Sequence, residues 1–549
     1  MTPALPNITL SISTILSSLL ALPPAPAPND PYWPKQFNLG SSSPAGLNLL
    51  PAWSYTRGAG VVIAIVDSGI VMNEEFSGRV LPGFDFISDA SSARDGDGRD
   101  DDPKDEGDWV SLDEIQSGEV GRDCTAHASS WHGTRVASIA LASANNHAGI
   151  AGVAPEALLL PVRAIGRCLG TDADIADAIR WAAGIAVPGA PINLHPADVI
   201  NLSFAGEGEC RGPIASAIDA ALNEGSLIVA AAGNDGVDVA NTSPANCAGV
   251  IAVAAVDFEG ARTSYSNFGS QISIATSGGS AGLGILTVSN SGTTIPSGSS
   301  YKRSVGTSAA APHVAGLLAL ARSFDPTTPA PDLAALLAVS ATPFPLDPAT
   351  GLPWGGDCDE GRCGAGIAYA GAMLALMASR PKPTVQFSAP ESLSIGLDGG
   401  SSAPISATSG VDGAAQVELS VVSTSACSLA DGVVTALTAA SCRLRATVSG
   451  TRDAAPGTVD LVLNQVGLSP ELSARLAAKI RLGRSAAATI GTVSNGIWKV
   501  KSLTPKTCKV VGRRTVMAMG VGTCSVKVSI PVAGPFEAAS KTLKISITR

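Results

Sequence analysis

Apolar and polar residues follow two different rhythms along this chain, and the change falls near residue 380. Before it, unbroken apolar runs such as Val61 to Val66 and Ile228 to Ala232 alternate with segments of helical spacing, notably Ala173 to Ala183 and Ile214 to Asn223. A run with no polar alternation predicts a strand covered on both faces, hence a parallel strand with helical crossovers. Strands alternating with helices predict an α/β, doubly wound, mostly parallel sheet over residues 29–380. About 350 residues are enough to bury a large core.

After Arg380, Pro381, Lys382 and Pro383 the helical spacing disappears and Ser, Thr, Val and Gly dominate. The tail repeats itself. Cys427-Ser428-Leu429 leading to Cys442-Arg443-Leu444-Arg445 parallels Cys508-Lys509-Val510 leading to Cys524-Ser525-Val526-Lys527, and the pairs enclose 14 and 15 residues. Polar and apolar residues alternate after each second cysteine, and another strand follows at Thr458 to Leu463 or Thr542 to Ile547. Two small all-β units are predicted, 381–464 and 465–549, each with an internal disulfide. They resemble short bacterial immunoglobulin-like repeats. Such units serve either to hold a cell surface or polymer, or as spacers; Trp498 is the only Trp among them, so no platform of stacked rings is evident.

Composition narrows the class. The chain is 45% hydrophobic and 15% charged, with 59 Gly and a net charge of −10, a balance that fits a globular acidic protein and disfavours nucleic acid as a partner. No stretch of about 18 purely apolar residues occurs, so no membrane span is predicted. The ten cysteines are even in number and lack the close double pairs of a zinc site, which points to disulfides in an oxidising compartment.

The candidate chemistry sits at predicted element ends, where open α/β sheets build their sites. Asp67 ends the first apolar run. His132 lies in the first turn of a helix that begins at Ser130-Trp131-His132-Gly133-Thr134. Asn234 follows the strand Ile228 to Ala232. Ser308 stands in Gly306-Thr307-Ser308-Ala309-Ala310-Ala311-Pro312-His313, between a glycine turn and an apolar helix whose N-terminus favours a developing anion. A lone Asp at a strand tip is more often a cap, and a lone His at a helix start more often structural; together, in this order, they suit nucleophilic catalysis.

These motifs resemble those of the subtilisin-like serine peptidases, the subtilases, in the order Asp, His, Ser. The resemblance implies that Ser308 is the nucleophile, His132 the general base and acid, Asp67 the group orienting the imidazole, and Asn234 an oxyanion donor together with the Ser308 N–H. Losing one such donor costs about 2.7–4 kcal/mol in kcat, a value known from subtilisin itself. It further implies that Ser203, Phe204 and Ala205 form one wall of a substrate pocket and Ala231, Ala232 and Gly233 the other, beside an edge that takes an extended peptide as an added strand. Four residues depart from the family pattern: Ala205 replaces glycine, Phe204 leucine, Ala309 methionine and Arg135 histidine. The first two predict a pocket for a medium apolar side chain. His313 falls where the family has a structural histidine.

Six cysteines in the front region allow 15 pairings; nearest neighbours, Cys124–Cys168, Cys210–Cys247 and Cys358–Cys363, are expected, and that pattern together with the long acidic insertion resembles the secreted Gram-negative branch of the family. Residues 1–28 resemble the back half of a secretion signal without its basic start, and no stretch before Asn29 is long enough for the family's propeptide. A longer precursor, or folding without that domain, is expected. The acidic insertion around Asp95, Asp97, Arg99 and Asp102 is a candidate structural Ca²⁺ loop, with a solvated loop as the alternative; catalysis requires no cofactor. The expected protein is a monomeric secreted endopeptidase acting on proteins or peptides. The alternative, a non-catalytic adhesin on a peptidase scaffold, predicts the loss of a triad member, and none is lost.

Overall fold

The structure is a computed structural model describing residues 22–549 apart from 121–123, 169, 354–357, 359–360, 391, 397–398, 411–415, 439, 467–471, 493–497 and 531–537. The signal-like stretch before Leu22 lies outside the described residues. The chain forms two compact units, residues 1–380 and 381–549.

In the first unit seven strands, β1 (Val62–Asp67), β2 (Phe84–Asp85), β3 (Leu158–Arg163), β4 (Val199–Leu202), β5 (Leu227–Ala231), β6 (Ile251–Val256) and β7 (Ile274–Ser277), form a parallel sheet in the order β2-β3-β1-β4-β5-β6-β7. The order reverses at β1, as a doubly wound sheet requires. Successive β1 residues point to opposite faces: Ile63 and Ile65 enter one core, Val62, Ala64 and Val66 the other. This double burial is why the strand reads as an unbroken apolar run.

Helices α1 (His132–Leu141), α2 (Asp172–Ala182), α3 (Gly212–Asn223), α4 (Thr307–Phe324), α5 (Ala330–Val339) and α6 (Ala370–Ser379) cover the sheet. Alanines dominate the buried side of α4, where Ala310, Ala311, Val314, Ala315, Leu317 and Leu318 are wholly buried. His313 is buried there too. Its Nδ1 donates to the Ala309 carbonyl at 2.8 Å, and its Nε2 accepts from Asn38 at 2.7 Å. Burial pushes its pKa down to about 4, so it stays neutral as a structural group.

The five disulfides join Cys124–Cys168, Cys210–Cys247, Cys358–Cys363, Cys427–Cys442 and Cys508–Cys524, and no described cysteine is free. In the second unit each repeat has its own small core around one disulfide. Cys427 and Cys442 pack with Val434, Leu444 and Leu463; Cys508 and Cys524 pack with Val516, Val526, Ile545 and Ile547. The four-stranded sheet of the second repeat contains β8 (Lys479–Arg481), β9 (Lys499–Ser502), β10 (Gly522–Ile530) and β11 (Ala539–Thr548), in the order β8-β11-β10-β9.

The acidic insertion does not gather its carboxylates. Asp95 accepts from the Arg163 guanidinium at 2.6 Å, Arg99 is bound to Asp174 and Asp177, and Asp102 caps the Lys104 backbone N–H. Asp97 is exposed. Among the described residues no three His, Cys, Asp or Glu side chains are placed to share a metal ion, so Asp95, Asp97, Arg99 and Asp102 are not assembled as a ligand set. Sequence spacing counted the carboxylates but could not show that the neighbouring arginines engage them.

Arg163 is 2% exposed and also reaches the fully buried Asp85 at 2.5 Å. Arg163→Met leaves that carboxylate uncompensated, and chemical denaturation of the variant is expected to show a loss of about 3–5 kcal/mol. Arg163→Met with Asp85→Leu should recover most of it; equal losses in the two variants would refute the pairing as the cause.

Candidate active site

Asp67 terminates β1, the central strand at which the sheet order reverses, and is 2% exposed. A carboxylate so buried needs donors. Among the described residues it has two: the Ser68 backbone N–H at 2.7 Å, and His132 Nδ1 at 2.8 Å to Oδ1 and 3.0 Å to Oδ2. With Nδ1–H committed to Asp67, the neutral imidazole keeps Nε2 free to accept a proton. Burial draws the His132 pKa down, but the charge of Asp67 and its hydrogen bond outweigh this and hold it above the ordinary value; Arg135 pulls it down and Asp108 up.

His132 opens α1, and the chain enters that helix in a strained way. Trp131 takes a left-handed conformation at φ 55° with its ring buried and its Nε1 donating to the Gly292 carbonyl at 2.8 Å. Gly133 lies so close to β1 that a Cβ would stand 2.3 Å from the Gly69 carbonyl. Its N–H donates to Ser68 Oγ at 3.0 Å, and Ser68 Oγ donates to Asp105 at 2.8 Å. Asp105 is 1% exposed, also accepts from the Gly107 N–H, and is pushed up to about 7 by burial. Asp105, just after the acidic insertion, therefore anchors the helix that carries His132.

Ser308 is the second residue of α4, half-buried. Its setting follows from two neighbours. Gly306 has φ 144°, which favours glycine, and a Cβ there would stand 3.2 Å from Ser308 Oγ and 3.5 Å from the Asn234 side-chain nitrogen. The glycine thus leaves open a space flanked by both polar groups. Pro312 lacks the N–H that would bond the Ser308 carbonyl within the helix, and that carbonyl instead accepts Ser203 Oγ at 3.0 Å. Ser203 Oγ accepts in turn from Asn201 at 2.8 Å.

Asn234 follows β5 and is oriented by Thr307. Its Oδ1 accepts the Thr307 N–H at 2.8 Å and the Thr307 hydroxyl at 3.0 Å, which commits the oxygen and leaves the NH₂ as donor to the cleft. Thr307 Oγ1 also accepts from the Gly233 N–H at 3.1 Å. The residue is wholly buried.

A cleft of about 260 Å³ is lined by Asp67, His132, Ser308 and Asn234 with Ser203, Phe204, Ala205, Ala231, Asp108 and Ser130. Asp67, His132, Asn234 and Ser308 thus share one cleft although they lie far apart in the chain. The expected substrate walls are only partly assembled there. Ser203, Phe204, Ala205 and Ala231 line the cleft, whereas Ala232 and Gly233 do not: Ala232 is buried with its N–H on the Val253 carbonyl, and Gly233 on Thr307. Sequence reasoning missed Thr307, Ser68 and Asp105. The first two adjoin singled-out residues, but only the fold shows which way they turn.

The fold and cleft define an α/β protein with a buried carboxylate and an amide at the carboxyl ends of parallel strands and a histidine and a serine in the first turns of two helices. Comparison then narrows the class. The model of the subtilase family matches residues 58–366, and the chain belongs to that family. It is 44% identical over 370 residues to the extracellular protease of Xanthomonas campestris pv. campestris, covering 67% of this chain and 59% of that protein. It is 41% identical over 312 residues to the extracellular basic protease of Dichelobacter nodosus, covering 55% and 49%. The chain thus spans half to three-fifths of the length of these two relatives. A solved protease structure from Pseudoalteromonas arctica superposes with a TM-score of 0.59 at 42% identity, covering 64% of this chain and 99% of that one.

Thr307→Val keeps the volume and removes the hydroxyl that locks Asn234. On the oxyanion role that the family resemblance implies for Asn234, whose loss would cost about 10²–10³ in kcat, a misoriented amide is expected to lower kcat about tenfold with KM nearly unchanged on a small peptide substrate. An unchanged kcat would show that Asn234 does not depend on this lock.

Proposed function

We propose that this chain is a secreted serine endopeptidase that cleaves peptide bonds through an acyl-enzyme. The observation that carries the reading is the buried Asp67–His132 hydrogen bond in the same cleft as Ser308 and Asn234. Family membership and the protease names of the relatives support it, and secretion draws further support from the five disulfides.

In this reading Ser308 Oγ attacks the scissile carbonyl and passes its proton to His132 Nε2. The imidazolium so formed is stabilised by Asp67, and the negative charge on the carbonyl oxygen by the Asn234 NH₂ and the Ser308 N–H. Collapse of the tetrahedral adduct breaks the C–N bond, His132 returns the proton to the leaving amine, and water repeats the sequence to release the acid. Fixed donors do this without reorganising solvent, which is why the Thr307 lock on Asn234 matters. The half-buried Phe204 packs against the core on one side of the sheet and Ala205 adds a methyl to the wall, so the primary pocket takes a medium apolar side chain.

Purified chain is expected to hydrolyse casein, to be blocked by a sulfonyl fluoride, and to lose turnover in Ser308→Ala; absence of inhibitor-sensitive turnover would overturn the reading. Since the neutral imidazole is the base and its pKa is raised, kcat/KM should fall with decreasing pH through an inflection above about 6.5. Peptides with Leu at the primary position should outperform those with Trp, and Ala205→Gly should narrow the gap.

A further inference from the structure

The net charge of −10 conceals a strong segregation. Residues 1–380 hold 18 Lys and Arg against 37 Asp and Glu; residues 465–549 hold 14 Lys and Arg against two acids, Glu471 and Glu537. The tertiary structure places many of these cations on one surface. In the sheet β8-β11-β10-β9 the inward positions include Ile480, Val500, Cys524, Val526, Ile545 and Ile547 of the repeat's core, with the buried Val528 and the half-buried Leu543; near the start of β11 the exposed Lys541 shares that side. Every outward position is Lys, Arg, Ser or Thr.

The six cations on that face are Lys479 and Arg481 on β8, Lys499 and Lys501 on β9, Lys527 on β10 and Lys544 on β11, all exposed. Lys501 stands directly opposite Lys527. Lys544 faces Ser525 and so lies diagonal to Lys527, while Lys479 faces Ser546 and lies diagonal to Lys544. The charges thus make a continuous stripe across four strands, about 14 Å at the usual strand spacing. Among the described residues none of the six has an ion-pair partner. Like charges directly opposite on a sheet are destabilising, and a bound polyanion relieves that repulsion.

One end of the stripe carries a second feature. Trp498, Lys499, Val500, Gly512 and Arg513 line a cleft of about 510 Å³. A half-buried indole beside two cations offers an apolar face to a sugar ring and charge to its acidic substituent. A single-stranded nucleic acid would call for a row of aromatic platforms, and an anionic membrane for apolar side chains among the cations. The outward positions supply hydroxyls instead.

We propose that residues 465–549 bind an acidic polysaccharide, one bearing uronate or sulfate groups, through this Lys- and Ser/Thr-faced sheet and the Trp498 cleft. The site is separate from Ser308 and would concentrate the catalytic unit on a polymeric surface. Heparin serves as the probe, titrated calorimetrically into the full chain carrying Ser308→Ala to prevent self-digestion. Binding is expected to weaken with salt, and Lys501→Ser/Lys527→Ser/Lys544→Ser should lower affinity about tenfold or more while reducing that salt dependence. Lys506→Ser/Lys509→Ser/Arg514→Ser removes equal charge from the same repeat off this face and should change affinity less than about threefold; Trp498→Ala should weaken it at least threefold, as loss of one stacked ring does. Heparin should also shield Lys501 and Lys527 from an amine-acylating reagent in the chain with an unaltered face, a readout that needs no variant to fold. Equal losses in the two triple variants, no shielding, or tighter binding to a DNA duplex or to phosphatidylglycerol vesicles would overturn the proposal. Hydrolysis of a small peptide by the Ser308-bearing chain should be untouched by the face substitutions, so a failure of polymer binding and a failure of the peptidase reading are seen separately.

Discussion

The buried carboxylate of Asp67 is the constraint around which the cleft of the first unit is arranged. At the tip of β1, 2% exposed, its hydrogen-bond donors among the described residues are a backbone N–H and the ring of His132. An ionised group in that position is tolerable only if those donors are held in place. The neighbourhood accordingly goes into holding them. Gly133 allows α1 to approach β1, the Asp105–Ser68–Gly133 chain ties the helix start to the insertion, and Trp131 bears the left-handed turn that aims the imidazole.

The serine side of the cleft is built by the same economy of backbone groups. Pro312 withdraws one helical hydrogen bond and thereby frees the Ser308 carbonyl for Ser203, which joins the serine helix to the end of β4. Thr307 satisfies itself, Gly233 and Asn234 with one hydroxyl and one N–H. Neither Ala309 nor Arg135 disturbs this. Ala309 is buried in a small cluster with Ile139 and Ile285, and Arg135 is turned to the Ser304 hydroxyl, contributing to the site through its charge.

The two ends of the chain carry opposite charge. A strongly acidic first unit and a basic terminal repeat give a whole-chain total that describes neither. Electrostatic character belongs to folded surfaces rather than to composition, since a strand exposes only every second side chain and thereby sorts Lys from Val.

Period and punctuation in the sequence determined the doubly wound sheet and the all-β tail, because buried parallel strands must be apolar on both faces and a half-covered antiparallel sheet must alternate. Asp67, His132, Asn234 and Ser308 were ambiguous one by one and could be singled out only together, from the order of their motifs and the family pattern those motifs resemble. What only the tertiary structure decided is which groups meet across long separations: Thr307 with Asn234, Ser68 with Asp105, Arg163 with Asp85 and Asp95. The acidic insertion shows the difference most plainly. Its carboxylates looked like cation ligands when counted along the chain, yet Arg163, 68 residues from Asp95, had already claimed one, and Arg99 had turned away to α2. Hydrogen-bond partners depend on direction as well as distance, and neither is encoded in residue spacing until the layers have packed.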